Sequence, residues 1–287
     1  MTPVTTRTPI FYTRLKKIVG ITVCRLILIL ACLGVLFPLL WIASASITSR
    51  ASLFTSSLIP KSFSMLHYQR LLKDTDFILW LRNSAIVCLG GSFLALIFTV
   101  PMAYAFSRFR FWGKRYGLLI LILIQILPST ATIVAIYKIM QWIGLLNHFS
   151  GLMLVYGGTT IPFNAWLMRG YFESIPRDIE ESAYIDGATK WISFIKVALP
   201  LALPMVVVVF IFNLITFYND YLLASIILSG KQNYTVALGM RFFDQPYATN
   251  WGMFSAASIL ACLPIAMVFY SAQRYLVTGL ISGAIRG

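Results

Sequence analysis

Six apolar runs, each close to the length that a helix needs to cross a bilayer, constrain this chain more than any other feature. They cover residues 21–47, 84–107, 116–140, 151–168, 201–222 and 254–273. A bilayer core requires about 20 mostly apolar residues per helix, and no run has Lys or Arg near its middle. The pattern predicts an all-α polytopic membrane protein with six transmembrane helices.

The composition excludes a soluble domain. Charged residues make up 11% of the chain and hydrophobic residues 59%, whereas soluble domains carry about 25% charged residues. There are 23 Lys and Arg against 9 Asp and Glu, a net charge of +14. In a soluble protein this excess would indicate nucleic acid, but in a membrane protein the position of the charges decides its meaning. We therefore expect membrane lipid and no nucleic acid as a partner.

Basic residues concentrate in alternate connections between the runs. Four of them, Arg108, Arg110, Lys114 and Arg115, lie within eight residues between the second and third runs. The N-terminal segment, the fourth-to-fifth connection and the C-terminus share this enrichment, which marks the cytoplasmic side. The prediction is a cytoplasmic segment over residues 1–20, a six-span domain over 21–273 and a cytoplasmic tail over 274–287, with both termini inside.

The N-terminus has a second interpretation. A basic patch, an apolar run and Ala43-Ser44-Ala45 resemble a cleaved signal peptide. The run from Leu26 to Ala43 is long enough to span, however, and an uncleaved first span is preferred.

Motifs for chemistry are scarce. The four cysteines form no CxxC pair, and the two histidines lack metal-ligand spacing, so neither a disulfide framework nor a metal site is predicted. There is no phosphate-binding loop, so any ATP must be used by a partner. An intramembrane enzyme would need a catalytic set that these spans lack, and an ion-driven secondary transporter usually needs embedded charges.

The connection over residues 169–200 is the most informative. Five of the nine acids lie here: Glu173, Asp178, Glu180, Glu181 and Asp186. Pro176 suits the start of a short helix and Gly187 its end. A second helix is expected from Ala188, with Trp191, Phe194, Ile195 and Ala198 on one face and Pro200 marking the turn into the fifth span. The alternative is a solvated loop with ordinary caps.

Two outer loops carry weaker signals. Ser64 could cap a short amphipathic helix, with Met65, Tyr68, Leu71 and Leu72 on one face, lying on the membrane surface. The last outer loop contains Phe242 and Phe243, which could contact a partner or join an interfacial aromatic belt. Within the spans, Gln125 is expected to make a structural hydrogen bond. Asn219 and Asp220 are possible translocation-pathway residues, with an interfacial or packing role as the alternative.

One motif carries a resemblance to a known family. Glu181-Ser182-Ala183-x-x-Asp186-Gly187-Ala188, followed by Phe194-x-x-Val197-x-Leu199-Pro200, resembles the "EAA" loop of ABC-importer permeases. The spacing matches throughout, and only Ser182 for Ala and Val197 for Ile depart from the pattern. Residues 68–72 and 81–84 look like the carbohydrate-importer branch. Residues 234–240, 251–257, 273–280 and 283–287 resemble the smaller permease subunit of maltose/maltodextrin importers.

The resemblance implies a mechanism and a set of contacts. The short acidic helix would be the coupling helix that sits in a cleft of a separate ATPase subunit. Its contact residues would be Glu180, Glu181, Ser182, Ala183, Asp186, Gly187 and Ala188. The C-terminal Gly283, Ala284, Ile285, Arg286 and Gly287 would also reach the ATPase. The binding-protein contact maps to Met240, Arg241, Phe242, Phe243, Asp244 and Gln245.

The implied function is half of the translocation pathway of an ATP-driven importer in a bacterial cytoplasmic (inner) membrane. Its partners would be a second permease subunit, an ATPase dimer that binds ATP and Mg²⁺, and an extracytoplasmic sugar-binding protein. The chain itself would bind no cofactor and catalyse no reaction. Maltose or maltodextrin is the expected substrate, with another oligosaccharide, another solute class or an ion-driven transporter as alternatives.

Overall fold

The computed structural model describes residues 10–48, 62–125, 129–243 and 250–284, and these form a helical bundle. In chain order the α-helices are α1 (Ile10–Ser46), α2 (Leu66–Asp74), α3 (Phe77–Arg108), α4 (Gly117–Gln125), α5 (Ser129–Trp142), α6 (Phe149–Ser174), α7 (Arg177–Ile185), α8 (Lys190–Ser193), α9 (Leu199–Asn219), α10 (Leu222–Ile227), α11 (Val236–Gly239) and α12 (Trp251–Ala284). A π turn, Phe194–Ala198, joins α8 to α9, and 3₁₀ turns cover Lys231–Asn233 and Met240–Phe242. Extended pairing in the described part is limited to one bridge between Thr48 and Phe63.

Four helical stretches of the described chain are long and apolar enough to cross a membrane: Ile18–Ser46, Phe77–Arg108, Lys190–Asn219 and Trp251–Gln273. The all-helical prediction is therefore confirmed. The third predicted run corresponds to α4 and α5, and the fourth lies within the 26 residues of α6. The number of spans stays a prediction.

The centre of the bundle is the packing of α3 against α6, with α9 lying on both. Small residues are fully buried where these helices meet: Ala103, Ala165, Ala198 and Ala202. Close backbone approach through small residues, together with hydrogen bonds across helices, is what drives helices together in lipid. Larger side chains such as Met168 and Phe172 fill the space beside them.

Helix α3 begins at Phe77, seven residues before the second apolar run. These extra turns carry polar side chains that donate hydrogen bonds to backbone carbonyls of residues 231–234. Asn83 Nδ2 donates to the carbonyls of Gln232 (2.8 Å) and Tyr234 (3.0 Å), and the Trp80 indole N–H donates to that of Lys231 (3.1 Å). Hydropathy therefore underestimates this helix, because its polar residues contact protein.

The turn predicted at Pro200 is wrong. The chain is helical without a break over Lys190–Asn219. A proline inside a helix clashes with the carbonyl four residues earlier, and the wider π turn directly before Pro200, in which Leu199 N–H bonds the Phe194 carbonyl, makes room for the ring. Of the four residues expected on one face, Phe194 and Ala198 are buried, whereas Trp191 and Ile195 are exposed, so the four do not share one environment.

Helix α2 forms as predicted, and Ser64 Oγ accepts a hydrogen bond from Leu66 N–H (3.2 Å). Its place on the membrane surface stays a prediction, but α2 also packs against the bundle. Leu71 is fully buried in a cluster with Phe77, Ala256 and Ala257. The Tyr68 hydroxyl donates to Ser46 Oγ (2.9 Å). Burial on one side and hydrogen bonds on the other make α2 part of the bundle.

The close contact between Gly239 and Trp80 gives a test of this packing. A Cβ at Gly239 would overlap the Trp80 ring, which is held by its hydrogen bond and by stacking on Phe242 (centroids 5.8 Å apart). We expect Gly239→Ala to lower the free energy of unfolding by about 1–3 kcal/mol, measured by thermal unfolding in detergent.

Gly158→Ala is the matched control. Among the described residues no atom lies within 4 Å of a Cβ at this helical position, and alanine favours helix over glycine, so stability should be unchanged or slightly higher. Equal melting temperatures for Gly239→Ala and wild type would contradict the packing described at Trp80.

Candidate functional site

The C-terminal ends of α3 and α6 meet at one end of the bundle, called here the basic end after Arg108, Lys114, Arg169 and Arg177. Lys114 Nζ and Arg177 Nη2 both donate to the Ser107 carbonyl, at 3.1 and 3.5 Å. Burial, and then the charges of Arg169 and Arg177, lower the pKa of Lys114. Two basic connections, far apart in sequence, are thus brought to the same end.

Helix α7 lies at the basic end, and its own sequence sets its limits. Asp178 and Glu180 lie in its first turn, where negative charge interacts favourably with the helix dipole. At its other end Gly187 adopts φ +85°. Gly187 N–H bonds the Tyr184 carbonyl (3.0 Å) and Ala188 N–H that of Ala183 (2.9 Å). This is a Schellman motif, and it confirms the helix stop expected at Gly187.

A buried ionic contact holds α7 to the bundle. Arg108 Nε donates to Glu180 Oε1 and the Tyr104 hydroxyl donates to Glu180 Oε2, both at 2.6 Å. Arg108 Nη2 also donates to the Ile175 carbonyl (3.0 Å). The side chains of Arg108 and Glu180 are 7% and 3% exposed. A helix of this length is not stable alone in water, so its position depends on this contact.

Tyr104 extends the contact to the start of the long helical stretch. Its ring lies 4.6 Å from that of Phe194 in the π turn and 5.5 Å from that of Phe172 in α6. One side chain therefore contacts α6, α7 and the π turn. A displacement of α7 would act on the helix that ends at Asn219 through this cluster.

The opposite face of α7 is free of the bundle. Glu181, Ser182, Asp186 and Gly187 are exposed, and Ala183 and Ala188 are half-buried. Ile185 is 87% exposed. Glu180, grouped with Glu181 in the sequence prediction, differs from the rest because it faces inward. Adjacent helical residues point about 100° apart, so only one of the two could face the bundle.

The sequence analysis counted Arg108 only among the basic residues that mark the cytoplasmic side, and it did not single out Tyr104. Arg108 directly follows an apolar run, where a cation is expected for topology alone, and Tyr104 lies near the end of that run. One signal could have pointed to the ion pair. Five of the nine acids lie in residues 169–200, on the same predicted side of the membrane as the four basic residues of 108–115.

The opposite, aromatic end of the bundle carries Trp80, Tyr234, Phe242 and Phe243. Phe243 is buried against Trp80 (centroids 6.1 Å apart). Phe242 is partly exposed and stacks on both Trp80 and Tyr234. Arg241 is exposed, with its guanidinium 5.3 Å from the Tyr221 ring, and Met240 is half-buried. Asp244 and Gln245 lie outside the described residues.

Asn219 and Asp220 have different surroundings. Asp220 Oδ2 accepts hydrogen bonds from the Tyr156 hydroxyl (2.9 Å) and from Leu223 and Ala224 N–H (3.1 and 3.2 Å). It therefore caps α10 and ties it to α6. Asn219 is exposed and lines a cavity of about 600 Å³. Aromatic and basic side chains share that cavity: Tyr218, Tyr221, Arg241 and Phe254.

The predicted tail begins inside a helix, since α12 continues to Ala284. Gly283 and Ala284 are its last residues, and Ile285, Arg286 and Gly287 lie outside the described residues. Over the described ranges no group of three or more His, Cys, Asp or Glu is arranged to hold a metal ion.

Alanine substitutions at Glu180 and Glu181 should distinguish the buried residue from the exposed one. Breaking a buried ion pair by deleting one partner costs about 3–5 kcal/mol, so Glu180→Ala should lower the free energy of unfolding by that order, measured by thermal unfolding in detergent. Glu181→Ala, on the exposed face, should change it by less than about 0.5 kcal/mol. Equal destabilisation by both would contradict the inward orientation of Glu180.

Comparison with known proteins places the chain among transport proteins. Residues 91–282 match the family described as "Binding-protein-dependent transport system inner membrane component". The galactooligosaccharides transport system permease protein GanQ of Bacillus subtilis (strain 168) is 34% identical, covering 96% of this chain and 98% of the relative. The maltose/maltodextrin transport system permease protein MalG of Escherichia coli (strain K12) is 35% identical, covering 92% and 95%.

A solved structure supports the same placement. A chain of a bacterial ABC transporter involved in the import of the acidic polysaccharide alginate matches with TM-score 0.79 and 29% identity, covering 93% of this chain and 99% of that one. The chain is therefore a multi-pass membrane protein of the binding-protein-dependent transport system inner membrane component family, an ABC-importer permease.

Proposed function

We propose that this chain is a permease subunit that takes up maltodextrin or a similar oligosaccharide and couples that uptake to a separate ATPase. The observation that carries the coupling role is the two-sided helix α7. Its inner face is fixed by Glu180, and its outer face presents Glu181, Asp186 and the apolar Ile185. Covering Ile185 with a partner would be favourable, because it would remove that apolar side chain from water. The substrates named for GanQ and MalG support an oligosaccharide.

The proposed topology has six spans with both termini cytoplasmic, since the basic end then lies inside. The outer face of α7 would dock in a cleft of the ATPase, where Glu181 meets polar or basic groups. Gly187 and Ala188 would allow close approach of the two backbones. The C-terminal residues 283–287 would add a second ATPase contact.

Energy transfer follows from the contacts of α7. Closure of an ATPase dimer would move α7, and the ion pair to Arg108 would pass that movement to α3. The Tyr104–Phe194 contact would pass it to the stretch Lys190–Asn219. Rigid elements joined in this way rock together between inward-open and outward-open states. ATP and Mg²⁺ belong to the ATPase, and this chain carries no catalytic role.

The remaining partners would contact other surfaces. A second permease subunit would complete a heterodimer and the other half of the pathway. At the aromatic end, Met240, Arg241 and the exposed edge of Phe242, continued by Asp244 and Gln245, form the proposed contact with an extracytoplasmic sugar-binding protein. Phe243 would support that surface from below. Asn219 would line the pathway. Asp220 would stabilise the outer end of that pathway, because it ties α10 to α6.

Charge reversal on the outer face of α7 tests the coupling role. We expect Glu181→Lys to lower ATP-driven maltodextrin uptake at least about tenfold, since like charges opposed at an interface cost several kcal/mol. The measurement is initial uptake by the assembled complex in proteoliposomes, with membrane insertion checked in parallel.

Ser271→Ala is the control. It removes only a hydrogen bond to the Val268 carbonyl within α12 (2.8 Å), away from the outer face of α7, so uptake should stay near wild type. Wild-type uptake by Glu181→Lys, with the ATPase still bound, would refute the coupling assignment.

A further inference from the structure

A polar pocket lies midway along α6 and in the second half of α9. Its volume is about 350 Å³, at the lower end of the range typical of small-molecule sites. The amide and hydroxyl side chains that define the polar pocket are Gln125, Thr159, Thr160, Asn164, Asn213 and Thr216. The described residues that line it carry no charge.

Asn213 has an unused hydrogen-bond donor in this pocket. Its side chain is 2% exposed, and its Oδ1 accepts a hydrogen bond from Asn164 Nδ2 (2.8 Å). Its Nδ2 has no hydrogen-bond partner among the described residues. Leaving a buried donor unpaired costs about 1–3 kcal/mol, and an oxygen atom that accepted a hydrogen bond from Asn213 Nδ2 would remove that cost.

The open side of the polar pocket is also polar. Gln125, Thr159 and Thr216 are exposed there, although each lies within an apolar helical segment. Each of these side chains donates a hydrogen bond to a carbonyl of the bundle, so its oxygen atom remains as an acceptor for a ligand hydroxyl. Two aromatic side chains flank them, Phe163 at 50% and Phe212 at 41% exposed.

A line of polar residues leads away from the pocket. Asn213, Thr216 and Asn219 follow each other at intervals of three along α9, so they lie on adjoining parts of one helix surface. Asn219 lines the larger cavity of about 600 Å³ at the aromatic end. These three side chains therefore form a polar line along α9 from the polar pocket to the aromatic end, on which the binding protein is proposed to dock.

We propose that the polar pocket is a subsite for one ring of the transported sugar, so that this subunit contacts the substrate directly. A sugar hydroxyl would accept the hydrogen bond from Asn213 Nδ2, while Phe163 and Phe212 cover the C–H faces of the ring. The uncharged lining selects a neutral sugar over a uronic acid, whose carboxylate would find no cation here. The inference rests on the proposed sugar-import function and assigns it a site.

The test uses the full complex of both permeases, the ATPase and the binding protein in proteoliposomes. Initial uptake of maltotriose and of a galactotriose is measured first with wild type, and the faster substrate is kept. Asn213→Ala should lower its uptake roughly tenfold, as expected for loss of one buried hydrogen bond, while ATPase stimulation by the loaded binding protein stays within about twofold.

Monodeoxy analogues of that sugar distinguish direct contact from a structural role of Asn213. A purely structural role would not change the ratio of the uptake rates of the parent sugar and its analogue. Wild type should import one monodeoxy analogue several-fold more slowly than the parent sugar, because Asn213 Nδ2 is again unpaired. Asn213→Ala should import both at the same rate. Preserved discrimination in the variant would overturn the proposal.

Thr216→Val is a second variant that keeps the side-chain shape. Thr22→Val is its matched control, since both hydroxyls are exposed and donate to a carbonyl four residues earlier (2.8 Å to Phe212, 3.0 Å to Ile18). We expect a several-fold loss of uptake for Thr216→Val only.

The outcomes separate the subsite from the function on which it rests. If wild type imports neither sugar, the oligosaccharide assignment itself fails. If wild type imports one and Asn213→Ala imports it equally well, only the subsite fails. Loss of the second permease subunit from purified Asn213→Ala would overturn the subsite in favour of a contact between permeases.

Discussion

The buried ion pair between Arg108 and Glu180 is the contact on which the site depends. Helix α7 is too short to fold alone, and Glu180 is its one buried residue. A buried charge without a partner is strongly destabilising, so Arg108 and the Tyr104 hydroxyl specify one position for α7. An apolar contact would tolerate sliding, whereas this geometry holds the outer face of α7 in a fixed orientation.

The same acidic helix therefore meets two requirements with neighbouring residues. Glu180 joins α7 to the bundle, and Glu181 remains exposed beside Ile185. Movement at the outer face is carried inward because Tyr104 also contacts the π turn before α9. The polar residues of α9 lie farther along that helical stretch, which would link the proposed ATPase contact to the proposed sugar subsite by one rigid element.

Much of the fold was readable from the sequence, and the exceptions have physical causes. Hydropathy locates helices by their lipid-facing residues, so it placed the start of α3 late, where Asn83 is bonded to protein. The proline at position 200 was interpreted as a turn, because sequence rules do not anticipate a π turn that accommodates the ring. For helix α2, periodicity revealed an apolar face but not that Leu71 on that face packs against α3 and α12.

The sequence by itself determined the all-helical membrane class, the two limits of α7 and, through the EAA motif, the transporter family. These depend on local composition, spacing and the backbone freedom of Gly187, all of which act within a few residues. Only the tertiary structure decided that Glu180 faces inward to Tyr104, that Asp220 accepts a hydrogen bond from Tyr156 and that Asn164 meets Asn213. Each of those contacts joins side chains 49 or more residues apart in the sequence, so no local pattern could predict it.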